Sequence, residues 1–543
     1  MDNFEFQSRR SPVYGCSGMA AASQPLAVAA GLKLLAQGGT AADAAVAMAA
    51  ALNVTEPTST GLGGDAFALY YEASTKKVSA LNGSGRSPAA LSLERLRREG
   101  LDQSLPAFHP YTITVPGACA AWCDLHERFG RLPLARVLAP AEKLADEGFP
   151  VAPVTAHFWQ RGAARQLAQA VNGRELTLDG RAPSAGELFR NPGLARTLRQ
   201  IAEGGKDAFY HGPVAHAIVA VVAEAGGCLS EEDLAAHTST WEQPISIEYR
   251  GLRIWECPPN GQGLAALLAL NLLSGFDLAA LPPLSAERLH LEIEALRLAF
   301  ADAFHYIADP AFAPTPLEAL ISPAYAAERR RLIDPGKTNE HLTHGTPSAS
   351  SDTVYFCAVD GEGNACSFIN SNYMGFGTGI VPRGWGFSLQ NRGLGFSLQA
   401  GHPNALAPRK RPFTTIIPAM ATRVASGELF GPFGVMGGFM QPQGHVQVAV
   451  ALADDGLDPQ AALDRPRFCI QPETEGQSTA MEAGIPDETL QELSEMGHAV
   501  HRLEGMGRSL FGRGQIITRD PASGVLCGGA DPRADGCAMA ILR

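Results

Sequence analysis

The stretch DTVYFCAVDGEGNACSFINSNY occupies residues 352–373. It reads as a strand, a glycine-containing turn and a second strand. Residues 336–352, GKTNEHLTHGTPSASSD, are rich in Gly, Ser, Thr and Pro and have no buried pattern, so they read as a flexible linker. Thr353 therefore opens a core strand directly after a segment that can be cut. A threonine at a chain terminus carries its own base, the free α-amine, whose reference pKa of roughly 7.7–8.0 leaves a useful fraction neutral near physiological pH. While Thr353 is joined to Asp352 its nitrogen is an amide and not basic. Cleavage of Asp352–Thr353 would create the catalyst. More often such a threonine is only a β-former, and these residues alone do not decide between the two readings.

Outward from this hairpin, residues 25–37 and 41–53 read as two apolar helices broken at Gly38-Gly39, with Thr40 as an N-cap. TSTGLGGDAFALYY gives a glycine turn and a strand over 65–71, with a hairpin partner near 77–82. Residues 115–300 are mostly helical in pattern, with strands near 244–256, and 290–306 has helical periodicity. Strand-like pieces follow at 384–390, 413–421 and 430–436. A helix is expected to begin near Pro442, and Asp458-Pro459 caps another that stops before Pro466. Helices early and late around paired strands indicate a layered α/β fold.

The 543 residues carry a formal net charge of −12. An acidic surface repels phosphate backbones, so nucleic acid is not an expected partner, and Arg409-Lys410-Arg411 reads as a solvated loop. No apolar stretch is long enough to span a bilayer and the N-terminus has no secretory h-region, so a cytoplasmic protein with no membrane association is expected. Ten scattered cysteines without CxxC fit reduced, mostly structural thiols. HExxH and metal-ligand spacings are absent, so neither metal nor cofactor is expected. GxSxG is missing, which argues against a conventional serine hydrolase. The glycines at 61–64 fit neither GxGxxG nor GxxxxGK[ST], which argues against a nucleotide enzyme.

Several segments together resemble the γ-glutamyltranspeptidase family. They are GGTAADAAVA, TGLGGDAFALYY, PPNGQG, HLEIEALRLAFADAFHYIADP, DTVYFCAVDGEGNACS, FGTGIV, NALAPRKRP, FGVMGGF and GGADPR, in the family's order over nearly the whole chain. The resemblance implies an α+β fold, the four-layer αββα sandwich of N-terminal-nucleophile hydrolases. It implies a precursor cut at Asp352–Thr353 into a large subunit (1–352) and a small catalytic subunit (353–543) forming one globular unit. It leaves open a homodimer of that pair. By position, Thr353 is the nucleophile, Ser371 its hydroxyl partner, and Gly437 and Gly438 the oxyanion hole, where a side chain would block the backbone N–H groups.

Substrate recognition departs from the family. In QNRGLGFS, Gly395 stands where relatives hold the γ-glutamyl α-amine with an aspartate, and Asn391 is a further candidate contact. The carboxylate-binding Ser-Ser pair is Thr414-Thr415, and an asparagine near the amine is Tyr373. The family's carboxylate-binding arginine falls at Ser84, with Arg86 two residues on in GSGRSP. This pattern resembles the sub-branch containing glutathione hydrolase-like, cephalosporin acylase-like and oxamate amidohydrolase members. The expected substrate is a small amide, either a γ-glutamyl compound such as glutathione or, alternatively, an oxamate-, glutaryl- or cephalosporin-type amide. A non-catalytic small-molecule-binding protein that kept the fold is the competing class. An aspartate placed at 395 is expected to restore γ-glutamyl preference.

Overall fold

The computed structural model describes residues 10–339, 352–471 and 478–542. Most of the expected linker, 340–351, lies outside the described residues. The hairpin falls where the sequence puts it, as strands Asp352–Val359 and Ala365–Tyr373. They pair antiparallel, with a register shift between Asp352 and Val354. This hairpin is the centre of a seven-stranded antiparallel sheet. Its order is Cys537–Ala540, Met19–Ala22, Asp352–Val359, Ala365–Tyr373, Asp65–Glu72, Lys77–Asn82, Thr240–Glu242.

The period-2 pattern of the first strand explains the layers. Val354, Phe356 and Ala358 join a core shared with helices Pro25–Ala36, Ala41–Thr55 and Ala118–Phe129. Tyr355, Cys357 and Val359 point the other way, into a core with Met420, Met436 and Ile517 of a second seven-stranded sheet. Both faces are apolar because both are covered. The second sheet buries Ile247, Phe433 and Val435 against helices Gly263–Leu273, Ala286–Tyr306 and Met440–Ala453. The fold is an αββα sandwich. Thr353 has the parity of Tyr355, and Ser371 that of Ile369, so both belong to the space between the sheets.

Local signals set these elements. Thr40 Oγ1 accepts from the Asp43 N–H at 3.2 Å and Asp43 Oδ2 accepts from the Thr40 N–H at 2.9 Å, a reciprocal cap for the fully buried helix Ala41–Thr55. Thr40→Ala should lower stability by about 0.5–2 kcal/mol, read as a lower urea midpoint at unchanged slope. Asp458 caps helix Pro459–Asp464 as expected. Other expectations fail. Residues 384–390 form no strand: Gly384 and Gly386 take positive φ, and Leu389 makes only an isolated bridge to Gly63. Over 413–421 the regular strand begins only at Ala419. The helix expected near Pro442 does form, as Met440–Ala453. The basic cluster is not a solvated loop. Arg409 is exposed, but Lys410 and Arg411 are buried, and Arg411 Nε donates to the Ser84 carbonyl at 2.9 Å.

Candidate active site

Thr353 and Ser371 start and end the two paired strands, so the hairpin brings together residues that are distant along its contour. Thr353 is fully buried, and its Oγ1 donates to Ser371 Oγ at 3.1 Å. Ser371 Oγ also accepts the Tyr373 N–H at 2.9 Å, which fixes the hydroxyl. Gln441 Nε2 stands 3.5 Å from Thr353 Oγ1, and its Oε1 accepts from the Ile417 N–H at 3.0 Å.

Gly437 and Gly438 link strand Leu429–Met436 to helix Met440–Ala453, with φ of 135° and 61°. Such angles suit glycine. Their carbonyls accept from the Met440 and Gln441 N–H groups at the helix start. Their own N–H groups are the candidate oxyanion donors. These donors lie at the positive end of the helix dipole. Gln262, from PPNGQG, pins the turn: its Nε2 donates to Gly438 O at 2.8 Å and to Thr415 O at 2.7 Å.

Beside this turn lies a guanidinium that the sequence reading passed over. Arg392 begins the short turn Arg392–Gly395 and has no solvent exposure. Its Nη1 donates to Thr415 Oγ1 at 2.9 Å, its Nε is 3.9 Å from Asp65 Oδ2, and its centre lies 4.6 Å from the Tyr373 ring centroid. Nε and Nη2 have no hydrogen-bond partner among the described residues. Asp65 is opposite Ser371 in the sheet register. Burial lifts the Asp65 carboxyl to about 6 against the downward pull of Arg392, and burial draws the Arg392 guanidinium below its ordinary value while Asp65 raises it. Tyr373 itself has a φ of 79°, uncommon for a bulky residue.

Two cavities flank the site. One of about 760 Å³ is bounded by Tyr373, Gly395, Phe413 and Phe439, with Asp102 also in its wall. The other, of about 510 Å³, is bounded by Met374 and Gly437. Among the described residues no His, Cys, Asp and Glu cluster could hold a metal ion, and no helix is long and apolar enough to cross a membrane.

The sequence matches the Gamma-glutamyltranspeptidase family over residues 27–541. The chain belongs to the gamma-glutamyltranspeptidase family. It is an enzyme, an N-terminal-nucleophile amidohydrolase, which sets aside a non-catalytic binding protein. It is similar to the glutathione hydrolase-like YwrD proenzyme of Bacillus subtilis, with 36% identity covering 97% of this chain and 99% of that one. It is also similar to the oxamate amidohydrolase proenzyme of Klebsiella pneumoniae, with 34% identity over 96% and 98%. The crystal structure of cephalosporin acylase from Bacillus halodurans superposes with a TM-score of 0.93 at 46% identity, covering 100% of this chain and 99% of that one.

Within this family fold the remaining candidates are placed unequally. Thr415 is bonded to Arg392, while buried Thr414 Oγ1 has no partner among the described residues. Asn391 acts as a strut: its Nδ2 donates to Ala107 O and its Oδ1 accepts from the Met374 N–H. Arg86 is half-buried and, like Arg392, is not among the residues lining either cavity. Ser84, at the spacing of the family's arginine, accepts from Asn260 Nδ2. At 395 an added Cβ would stand 2.3 Å from the Phe413 carbonyl oxygen, so an aspartate there requires the Phe413 main chain to shift. The missed residue Arg392 lies in the same quoted segment, and a lone cation among glycines was its signal.

Proposed function

We propose that the chain is a proenzyme cut between Asp352 and Thr353, and that the freed Thr353 hydrolyses amides whose acyl part carries a carboxylate but no α-ammonium. The α-amine of Thr353 takes the hydroxyl proton as Oγ1 attacks the amide carbonyl carbon. The Gly437 and Gly438 N–H groups receive the oxyanion. The C–N bond breaks, the proton passes to the leaving amine, and water then hydrolyses the threonine ester. The proenzyme names of the relatives support maturation into two subunits. All ten cysteines are thiols, which supports a reducing, cytoplasmic setting.

The observation that carries the acyl preference is Arg392. A buried cation with two unbonded donors is stabilised by a ligand carboxylate, and Gly395 has no side chain to hold an ammonium. Glutaryl-p-nitroanilide and γ-glutamyl-p-nitroanilide differ only by the α-ammonium. The matured enzyme should turn over the first with the higher kcat/KM, and the opposite order would overturn this assignment.

One observation favours γ-glutamyl compounds such as glutathione instead. Asp102 stands in the wall of the cavity beside Gly395 and could receive the ammonium. Asp102→Asn tests it. On our reading the ratio of γ-glutamyl to glutaryl turnover stays within about twofold, whereas loss of a working ammonium contact would lower it by roughly 30-fold or more. Ser371→Ala should slow both maturation and turnover by about tenfold, the worth of one hydrogen bond, followed by gel and by initial rate.

A further inference from the structure

Gln262 has no solvent exposure and stands just before helix Gly263–Leu273. Its main chain is laced to the segment after Phe413. The Gln262 N–H donates to Thr414 O at 3.0 Å, and the Thr414 N–H donates to Asn260 O at 2.9 Å. The side chain reaches further. The single nitrogen Nε2 donates to Thr415 O at 2.7 Å and to Gly438 O at 2.8 Å, while Oε1 has no partner among the described residues. Turning the amide over would set its oxygen against two carbonyl oxygens, so only this orientation is favourable. Both hydrogens of the amide are therefore committed to joining two loops.

The two loops have different roles. Thr415 Oγ1 accepts from Arg392 Nη1 at 2.9 Å, so the Thr415 loop carries the buried guanidinium. Gly438 carries a candidate oxyanion donor and has a φ of 61°. A glycine pair has a wide choice of backbone angles, so the direction of its N–H groups depends on what holds the neighbouring peptides. Gly438 O is held from two sides, by the Gln441 N–H at 3.1 Å and by Gln262. A path of hydrogen bonds thus runs from Arg392 through Thr415 and Gln262 to Gly438. We propose that Gln262 is a positioning residue that couples acyl recognition to the oxyanion turn. A substrate carboxylate on Arg392 steadies Thr415, and through Gln262 it steadies Gly438 in the orientation that receives the oxyanion. The remote carboxylate then raises kcat as well as lowering KM, because part of its binding energy is realised only in the transition state. This rests on the reading of Arg392 as the carboxylate-binding group.

The test measures kcat and KM separately for glutaryl- and pentanoyl-p-nitroanilide, which differ by a carboxylate in place of a methyl. In the matured wild type the glutaryl substrate should have the higher kcat by about tenfold, and the lower KM. Acylation and deacylation both pass through an oxyanion, so kcat reads the turn whichever step is slower. Gln262→Met keeps the length and removes both donors. Its kcat ratio should fall to near one while the KM ratio persists. Gln262→Glu keeps the shape. Buried against two carbonyl oxygens its carboxyl is protonated, and the single O–H serves only one of them, so its kcat ratio should fall as well. A gel checks that the variants are cut, and melting temperatures that they are folded. A glutamine that serves only packing would lower both kcat values alike, so a kcat ratio unchanged in either variant overturns the coupling. Variants that neither fold nor mature place Gln262 in the fold and overturn it too. A wild type that distinguishes the two anilides in KM alone overturns the coupling and leaves the Arg392 reading standing. A wild type that distinguishes them in neither constant overturns both.

Discussion

Thr353→Ala is expected to remain one chain of 57.2 kDa with no hydrolytic activity. The wild type should instead resolve by intact mass into pieces of about 37 and about 20 kDa, the sizes set by a cut before a threonine that then serves as its own base. Both outcomes depend on one atom. Thr353 Oγ1 is buried and held by Ser371 at 3.1 Å, with Gln441 Nε2 of the helix after the glycine turn 3.5 Å away. Removing it deletes the nucleophile for substrate and, if cutting is intramolecular, the nucleophile for cutting. Thr353→Ser keeps an oxygen on Cβ and should retain part of both activities. Its loss of one methyl between the sheets lets the hydroxyl populate more rotamers, so both rates should fall. A Thr353→Ala protein that still splits at 352–353 would show that the cut is made by another group. A wild type active as a single uncut chain would remove the α-amine from the mechanism.

What was legible in the sequence was what local chemistry dictates. The hairpin at 352–373 follows from two apolar runs and a turn, and the helix at 41–55 from a Thr-x-x-Asp cap before an unbroken apolar stretch. The failed strand at 384–390 shows the limit. Its apolar residues looked strand-like, but glycines at positive φ turn the backbone out of a ladder, and the Gly384 N–H goes to Glu175 Oε1 at 2.9 Å instead. Glu175 is distant in sequence, so no window around 384 could reveal it. Arg392 was hidden for the same reason. Its neighbours Asp65, Tyr373 and Thr415 come from three segments, and only the folded sheet shows a buried cation with donors to spare. Position 395 was legible as an absence, but the reason for it, the Phe413 carbonyl, was not.

The second large effect is expected at Arg392. Arg392→Met should reduce kcat/KM for glutaryl-p-nitroanilide by roughly 30-fold to about 5 × 10³-fold, the consequence of losing about 2–5 kcal/mol when one member of a buried charge pair is truncated. Pentanoyl-p-nitroanilide has a methyl in place of the distal carboxylate, so its turnover should change by no more than a few-fold. The contrast matters because Arg392 also touches Asp65. Removing the guanidinium leaves a buried carboxyl whose pKa is already lifted to about 6 by burial and would rise further without Arg392. Near neutral pH Asp65 would then bind a proton in the folded state, so the variant should lose stability as pH rises. The double variant Arg392→Met/Asp65→Asn removes that charge and should recover stability without recovering glutaryl turnover. If the single variant loses both anilides equally, and the double variant regains both, Arg392 acts only through the fold. If glutaryl alone is lost in both variants, the guanidinium is the carboxylate-binding group, and the two unbonded donors beneath Tyr373 have their ligand.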